Sequence, residues 1–289
     1  HEIPESRRQA RGARVKSLLA TSPNEEISGI IDFKEFSDTK YVLMGTRKGV
    51  VKKVALTDFV NAKTRGIIAI YLDDGDQLVS ACLTGGSDEA VLITRQGQAL
   101  RIHEEQVRVM GRASRGVRGI LLSDSDELAA MLRVNPAEQM LISTTNGYGK
   151  RVEYDNFSSH GRGTRGQMIY VPDDFSGEVV GAVSISEEDE AMIITSMGKT
   201  IKIDADTVRV LGKGARGVRI VNIDAPDFVI GLDRVISDKV EEGLLATASD
   251  TVAGAGAPEG AATTEAAADE TDGGDDAPAP SGSDDNEDT

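Results

Sequence analysis

The side chains of this 289-residue sequence best placed to do chemistry are cations set beside glycine. Gly111-Arg112-Ala113-Ser114-Arg115-Gly116 returns as Gly161-Arg162-Gly163-Thr164-Arg165-Gly166 and as Gly212-Lys213-Gly214-Ala215-Arg216-Gly217. Looser copies stand at Arg7-Arg8-Gln9-Ala10-Arg11-Gly12 and Asn61-Ala62-Lys63-Thr64-Arg65-Gly66. The Arg-Gly arginines occupy positions 11, 65, 115, 165 and 216, at intervals of 54, 50, 50 and 51 residues. The second basic residues of the same loops are Arg8, Lys63, Arg112, Arg162 and Lys213. Arg108 and Arg209 precede two of the loops, and Arg118 follows one. Lys52, Lys53, Arg101, Lys150, Arg151 and Lys202 lie in the strands after a series of glycine turns.

One such loop would be an ordinary solvated turn, with glycine chosen for turn geometry. Five in register predict a belt of cations, and a repeating cation matches a repeating polyanion. The candidate chemistry is contact with the phosphates of bent duplex DNA, which needs no reading of base edges. Bending a site of a few helical turns costs on the order of several kcal/mol, so many contacts are required to offset it. With six Phe, five Tyr and no Trp, the chain is poorly equipped to stack on single-stranded bases.

Other chemistries are thin. His1, His103 and His160 have neither metal-ligand nor triad spacing. Asp73-Asp74-Gly75-Asp76 lacks the further oxygen ligands of a calcium loop and reads as a hairpin turn. There is no Walker sequence, and the Arg-Gly loops precede strands, with no helix to lend its dipole to a phosphate. The residues therefore predict no catalytic group, no metal site and no cofactor in this chain.

The elements that must position the cations are short strands. Residues 76–124 hold the apolar runs Leu78 to Leu83, Ala90 to Thr94, Ala99 to His103 and Val117 to Leu122, with a turn at Gly97. Four strands in about 50 residues without helical periodicity predict one antiparallel blade. The turn glycines 49, 97, 147 and 198 carry the same period, as positive φ in a tight hairpin requires. Full repeats are expected at 25–75, 76–125, 126–175 and 176–226, with a partial blade at 1–22 and a closing strand at 227–236. Four short strands cannot bury both faces alone, so the blades must pack on one another. The predicted fold is an all-β, propeller-like array.

Charge divides the chain. From Glu241 onward there are 14 acids and no Lys or Arg, so 241–289 is expected to be a disordered acidic tail able to compete with DNA for the cations. Residues 1–240 then carry about −2 of the formal −16. The single Cys82 excludes an intramolecular disulfide, suits a reducing compartment and reads as a small core residue. No apolar run approaches a membrane span, and no signal peptide is visible. Beginning at His1 without an initiator Met, the sequence reads as a piece of a longer protein.

Several stretches resemble a known family. They are His1-Glu2-Ile3-Pro4-Glu5-Ser6, Gly49-Val50-Val51-Lys52-Lys53-Val54-Ala55-Leu56-Thr57-Asp58-Phe59, Asn146-Gly147-Tyr148-Gly149-Lys150-Arg151, and Val107-Arg108-Val109-Met110-Gly111 with Gly116-Val117-Arg118-Gly119-Ile120. Over residues 1 to about 240 the chain is similar to the C-terminal domain of the bacterial DNA gyrase A protein, which forms part of a type II topoisomerase. The resemblance implies a six-bladed β-pinwheel, here lacking part of the first blades, whose basic rim wraps duplex DNA to support ATP-dependent negative supercoiling. It implies a domain without catalytic residues of its own, none of Tyr41, Tyr71, Tyr148, Tyr154 or Tyr170 being the strand-cleaving tyrosine. ATP and Mg²⁺ are then used elsewhere in the holoenzyme. The implied partners are double-stranded DNA, the rest of the gyrase A protein, and the gyrase B protein in a heterotetramer of two of each. The implied setting is the bacterial cytoplasm, at the chromosome. The resemblance implies that the family's heptapeptide, Gln-basic-Arg-Gly-Gly-basic-Gly, lies before His1; Arg7 to Arg14 is a relic of the same repeat position and does not match it. Two alternatives stay open: the corresponding domain of the topoisomerase IV A protein, and a propeller scaffold that binds protein partners.

Overall fold

Tight hairpins at the glycine turns are the units from which the sheets grow. A computed structural model describes residues 15–19, 21–22, 25–62 and 66–236. After a single helical turn, α1 (Val15–Leu18), the first repeat supplies β1 (Tyr41–Thr46) and β2 (Val50–Ala55). The second supplies β3 (Leu78–Thr84), β4 (Glu89–Thr94), β5 (Gln98–His103) and the two-residue β6 (Val117–Arg118). The third supplies β7 (Leu128–Arg133), β8 (Gln139–Thr144), β9 (Tyr148–Glu153) and β10 (Gln167–Met168). The fourth supplies β11 (Val179–Ile185), β12 (Glu190–Thr195), β13 (Thr200–Asp204) and β14 (Val218–Arg219), and β15 (Val229–Val235) follows.

The strands pair antiparallel in the orders β3-β1-β2-β6, β7-β4-β5-β10, β11-β8-β9-β14 and β15-β12-β13. This is the propeller-like, all-β arrangement expected, with one correction. Residues 76–124 do not make one sheet. Their hairpin, β4 and β5, founds the second sheet, while β3 and β6 complete the first. The cause is the one-turn 3₁₀ segment after each hairpin, such as Glu104–Gln106, which turns the chain off its own sheet. The chain then runs parallel to the outer strand of the preceding hairpin. Val109 bridges Lys53, Ser159 bridges Arg101, and Val210 bridges Arg151. Met110 N–H donates to Lys53 O at 2.9 Å, and Leu211 N–H to Arg151 O at 2.8 Å.

The same rule accounts for a second difference. Residues 25–40 and 66–72 form no strand, so the first repeat shows only its hairpin. In the other repeats those segments pair with the preceding hairpin, and among the described residues none stands beside them.

The strands of the first three hairpins are largely buried on both faces, which is why most of them read as continuous apolar runs, whereas β13 of the fourth alternates exposed and half-buried residues. Ala90 and Leu92 face Leu43, Val51 and Met131 between the first two sheets. Val91 and Ile93, from the same strand, face Met140, Ile142 and Tyr170 toward the third. Leu141, Ile185 and Ala191 fill the next layer. Each such large side chain, fully buried, contributes roughly 1.5–3 kcal/mol. Cys82 packs against the first of these layers, and burial pushes its thiol up to about 12, which leaves it inert at neutral pH.

Candidate nucleic-acid interface

Each Arg-Gly loop is a corner laid across the outer strand of the preceding hairpin. The chain arrives parallel to that strand, turns, and leaves antiparallel to it as β6, β10 or β14. The glycine is demanded twice over. Gly116, Gly166 and Gly217 have φ of +100°, +79° and +92°. A Cβ would also lie 2.6 Å from Val51 O at Gly116 and 2.7 Å from Gly149 O at Gly217, and at Gly166 it would meet Ala99 O. Positive φ and backbone contact leave no room for a side chain, so the arginine before the glycine is fixed on the outward side of the turn.

Consecutive corners adjoin. Tyr71 N–H donates to Ser114 O at 2.9 Å, Leu121 N–H to Thr164 O at 2.9 Å, and Gly163 N–H to Gly119 O at 2.6 Å. The second basic residue of each corner reinforces these ties. Arg112 Nη1 donates to Ile68 O at 3.3 Å, and Arg162 Nη1, one repeat on, to Arg118 O at 3.1 Å. Arg162 Nε also donates to Gln106 O at 2.9 Å. Lys213 Nζ donates to Gln167 Oε1 at 2.7 Å and Asn156 O at 3.2 Å, and lies over the Phe157 ring. The corners therefore follow one another along the edge of the array.

The sequence-predicted cations sort into three groups. Arg108, Arg115, Arg118, Arg162, Arg165, Lys202, Arg209, Lys213 and Arg216 are exposed, and Arg112 is half-buried. Arg8, Arg11, Lys63 and Arg65 lie outside the described residues, as does the acidic tail. The other five are turned inward. Lys52 and Lys150 are fully buried. Lys150 Nζ donates to Gly212 O and Lys213 O at 3.0 Å and to Ala215 O at 2.7 Å. Lys52 Nζ donates to Ala69 O at 2.8 Å, Ser114 O at 3.0 Å and Arg112 O. These ammonium groups hold the corners from beneath instead of facing solvent. Burial pushes Lys150 down to about 8; Lys52 is lowered as well, by burial first and by the Arg112 charge second.

Lys53, Arg101 and Arg151 are spent inside the array in a related way. Lys53 is 3.5 Å from the fully buried Glu104, which also accepts from Gly86 N–H, Asp88 N–H and Thr84 Oγ1. Arg151 Nε donates to Val208 O at 2.7 Å, and Arg101 Nη1 to Tyr154 O at 3.0 Å. Arg101 Nε also donates to Glu89 at 2.9 Å. Burial would raise the Glu89 carboxyl, but hydrogen bonds from Arg101 and Ser159 and the charges of Arg101 and His103 hold it below the usual range.

Sequence reasoning did not single out Arg219. It is exposed, donates through Nη2 to the Tyr148 hydroxyl at 2.8 Å and lies 5.2 Å from that ring. It holds the repeat position of Arg118, and the shared Arg-Gly-Val-Arg string was the available signal. Arg115 Nε is 2.7 Å from Asp73, and Arg216 Nη2 is 2.7 Å from Asp173. Arg165 has no partner among the described residues. In the Asp73 to Asp76 turn, Asp76 accepts Lys48 N–H at 2.9 Å, a hairpin clasp. No group of three or more His, Cys, Asp or Glu that could hold a metal occurs among the described residues. No helix among them is long and apolar enough to cross a membrane.

The model of the DNA gyrase C-terminal domain, a beta-propeller, matches residues 40–81, 88–135, 138–186 and 189–236. The DNA gyrase A protein of Treponema pallidum is 62% identical over 234 residues, covering 81% of this chain and 29% of the relative. That of Brachyspira hyodysenteriae is 49% identical over 242 residues, covering 84% and 29%. The chain thus spans under a third of the length of these relatives. A solved DNA gyrase A C-terminal domain aligns with TM-score 0.71 at 29% identity, over 78% of this chain and 76% of that one. A crystal structure of the C-terminal domain of DNA topoisomerase IV aligns with TM-score 0.76 at 25% identity, over 87% and 79%.

Proposed function

The chain belongs to the DNA gyrase C-terminal domain family, and from that premise we propose that it is the DNA-bending part of a type II topoisomerase, without catalytic residues of its own. It bends duplex DNA along the edge where the corners adjoin, and so supports ATP-dependent negative supercoiling by a holoenzyme of two gyrase A and two gyrase B proteins. Strand cleavage, and ATP hydrolysis with Mg²⁺, belong to other parts of that assembly. The setting is the bacterial chromosome, and the pinwheel is completed to six blades in the intact gyrase A protein. The observation that carries this reading is the recurrence of exposed cations at equivalent places on adjoining corners: Arg115, Arg165 and Arg216 with Arg162 and Lys213. Such an edge contacts phosphates and reads no bases.

Binding of a linear duplex across a salt series tests it. Each phosphate neutralised contributes about −0.9 to the slope of log K against log salt. Reversing Arg115, Arg165 and Arg216 to Glu should abolish binding at salt concentrations above roughly 0.1 M. Salt-insensitive binding, or binding untouched by the triple reversal, would refute the reading and favour a scaffold for protein partners. A second reading, the corresponding domain of the topoisomerase IV A protein, draws on the alignment to that solved domain. In the intact enzyme, decatenation without supercoiling would establish it.

A further inference from the structure

The three described corners share a backbone but not an environment. Arg115 and Arg216 are each paired with an aspartate from the turn that ends the repeat before, Asp73 and Asp173. The residue at the equivalent place for Arg165 is Ser123, which carries no charge. The same alternation appears beneath the corners. Buried Lys52 holds the corner of Arg115, and buried Lys150 holds that of Arg216. The corresponding residue under the middle corner is the apolar Leu100. Two corners are thus clamped from below and neutralised from above, and among the described residues the one between them is neither.

We infer that these corners are unequal toward duplex DNA: Arg165 is the open phosphate contact, while Asp73 and Asp173 are built-in competitors that a phosphate has to displace from Arg115 and Arg216. The inference rests on the DNA-binding reading proposed above. A phosphate oxygen and an aspartate oxygen make the same charge-assisted hydrogen bond to guanidinium, so only one can hold the productive geometry at a time. Where the aspartate is present, binding exchanges one anion for another and releases little. At Arg165 the phosphate replaces only water and a diffuse counterion. Both ion pairs are solvent-exposed, with Arg115 and Asp73 at 73% and 57% side-chain exposure, so the competition is modest and reversible. That suits a surface along which DNA must shift without being lost: one corner retains the duplex while the flanking two exchange.

The test uses the full 289-residue chain and a linear duplex, with affinity measured across a salt series. Arg165→Ala should weaken binding several-fold more than Arg115→Ala or Arg216→Ala, and should lower the salt slope by about one contact. Asp73→Asn should tighten binding several-fold at low salt. Asp124→Asn removes the same charge beside the unpaired corner and should move affinity less. Asp73 is the cleaner partner to replace, because Asp173 also accepts from Ser176 N–H and Oγ. In a double-mutant cycle, Arg115→Ala should cost more in the Asp73→Asn background than in the native one. Should all three arginine variants weaken binding alike, with Asp73→Asn no different from Asp124→Asn, the inequality is wrong and the DNA-binding reading survives. Should the native chain show no salt-dependent binding, both are wrong.

Discussion

A buried lysine with three carbonyl acceptors states the division of labour among the cations most clearly. The Lys150 ammonium has three donors, and Gly212, Lys213 and Ala215 supply three oxygens. Lys150→Met keeps the volume and removes every donor. Leaving these acceptors unpaired should cost about 1–3 kcal/mol in denaturant unfolding. The pH dependence has a definite sign. Burial pushes Lys150 down to about 8 from 10.5, so between those values the unfolded chain binds the proton and the folded chain does not. Stability contributed by this group therefore rises with pH from about 8 to 10.5, the reverse of a lysine that gains a salt-bridge partner. Comparing unfolding midpoints of native and Met variants at about pH 7.5 and about pH 10 checks it; equal pH dependence would count against the assignment. Sequence could not separate Arg151 from Lys202, since each stands four residues after a turn glycine. What separates them is the chain laid over the first on its way to a corner and, among the described residues, absent over the second, a contact across 57 residues.

At the level of the strands, the repeat was legible and the pairing was not. The turn glycines and the short apolar runs marked where strands begin and end, and nearly all appear in the fold. A strand's side chains record how deeply it is buried, but they do not name its hydrogen-bond partner. Here β3 pairs with β1 rather than with β4, its neighbour in sequence. The consequence is that no repeat owns a complete sheet. Deleting residues 176–236 takes β11 and β14 away from the β8–β9 hairpin, which belongs to the repeat before. Hydrogen exchange in residues 139–153 should then accelerate by at least a factor of about ten, since a bare two-stranded hairpin is marginal in water. If blades were self-contained, protection there would be unchanged.

For the molecule as a whole, the net charge of −16 conceals a near-neutral body. The 14 acids of residues 241–289 supply almost all of the excess. Tethering a polyanion to a basic surface raises the local concentration of carboxylates there, so the tail is expected to compete with DNA for the cations. Removing residues after Gly243 should strengthen DNA binding at about 50 mM salt and have little effect at about 300 mM, where screening shortens the reach of charge to less than about 10 Å. Equal affinity with and without the tail at low salt would show it to be inert. This asymmetry was fully legible from composition, whereas the sorting of cations into exposed and buried sets required the fold.

The exchange of strands also sets a timetable for synthesis. The β1–β2 hairpin is complete at Ala55, but β6, which covers the outer edge of β2, ends at Arg118, 63 residues later. At about 5–20 residues per second the ribosome takes about 3–13 s to deliver it. Through that interval each new hairpin leaves the tunnel with an apolar, hydrogen-bonding edge that only its successor can close. Growth of the array is therefore a relay in which the unfinished sheet is always the last one made. A pause in translation just after a hairpin leaves two outer strands waiting, while a pause just after a corner leaves one.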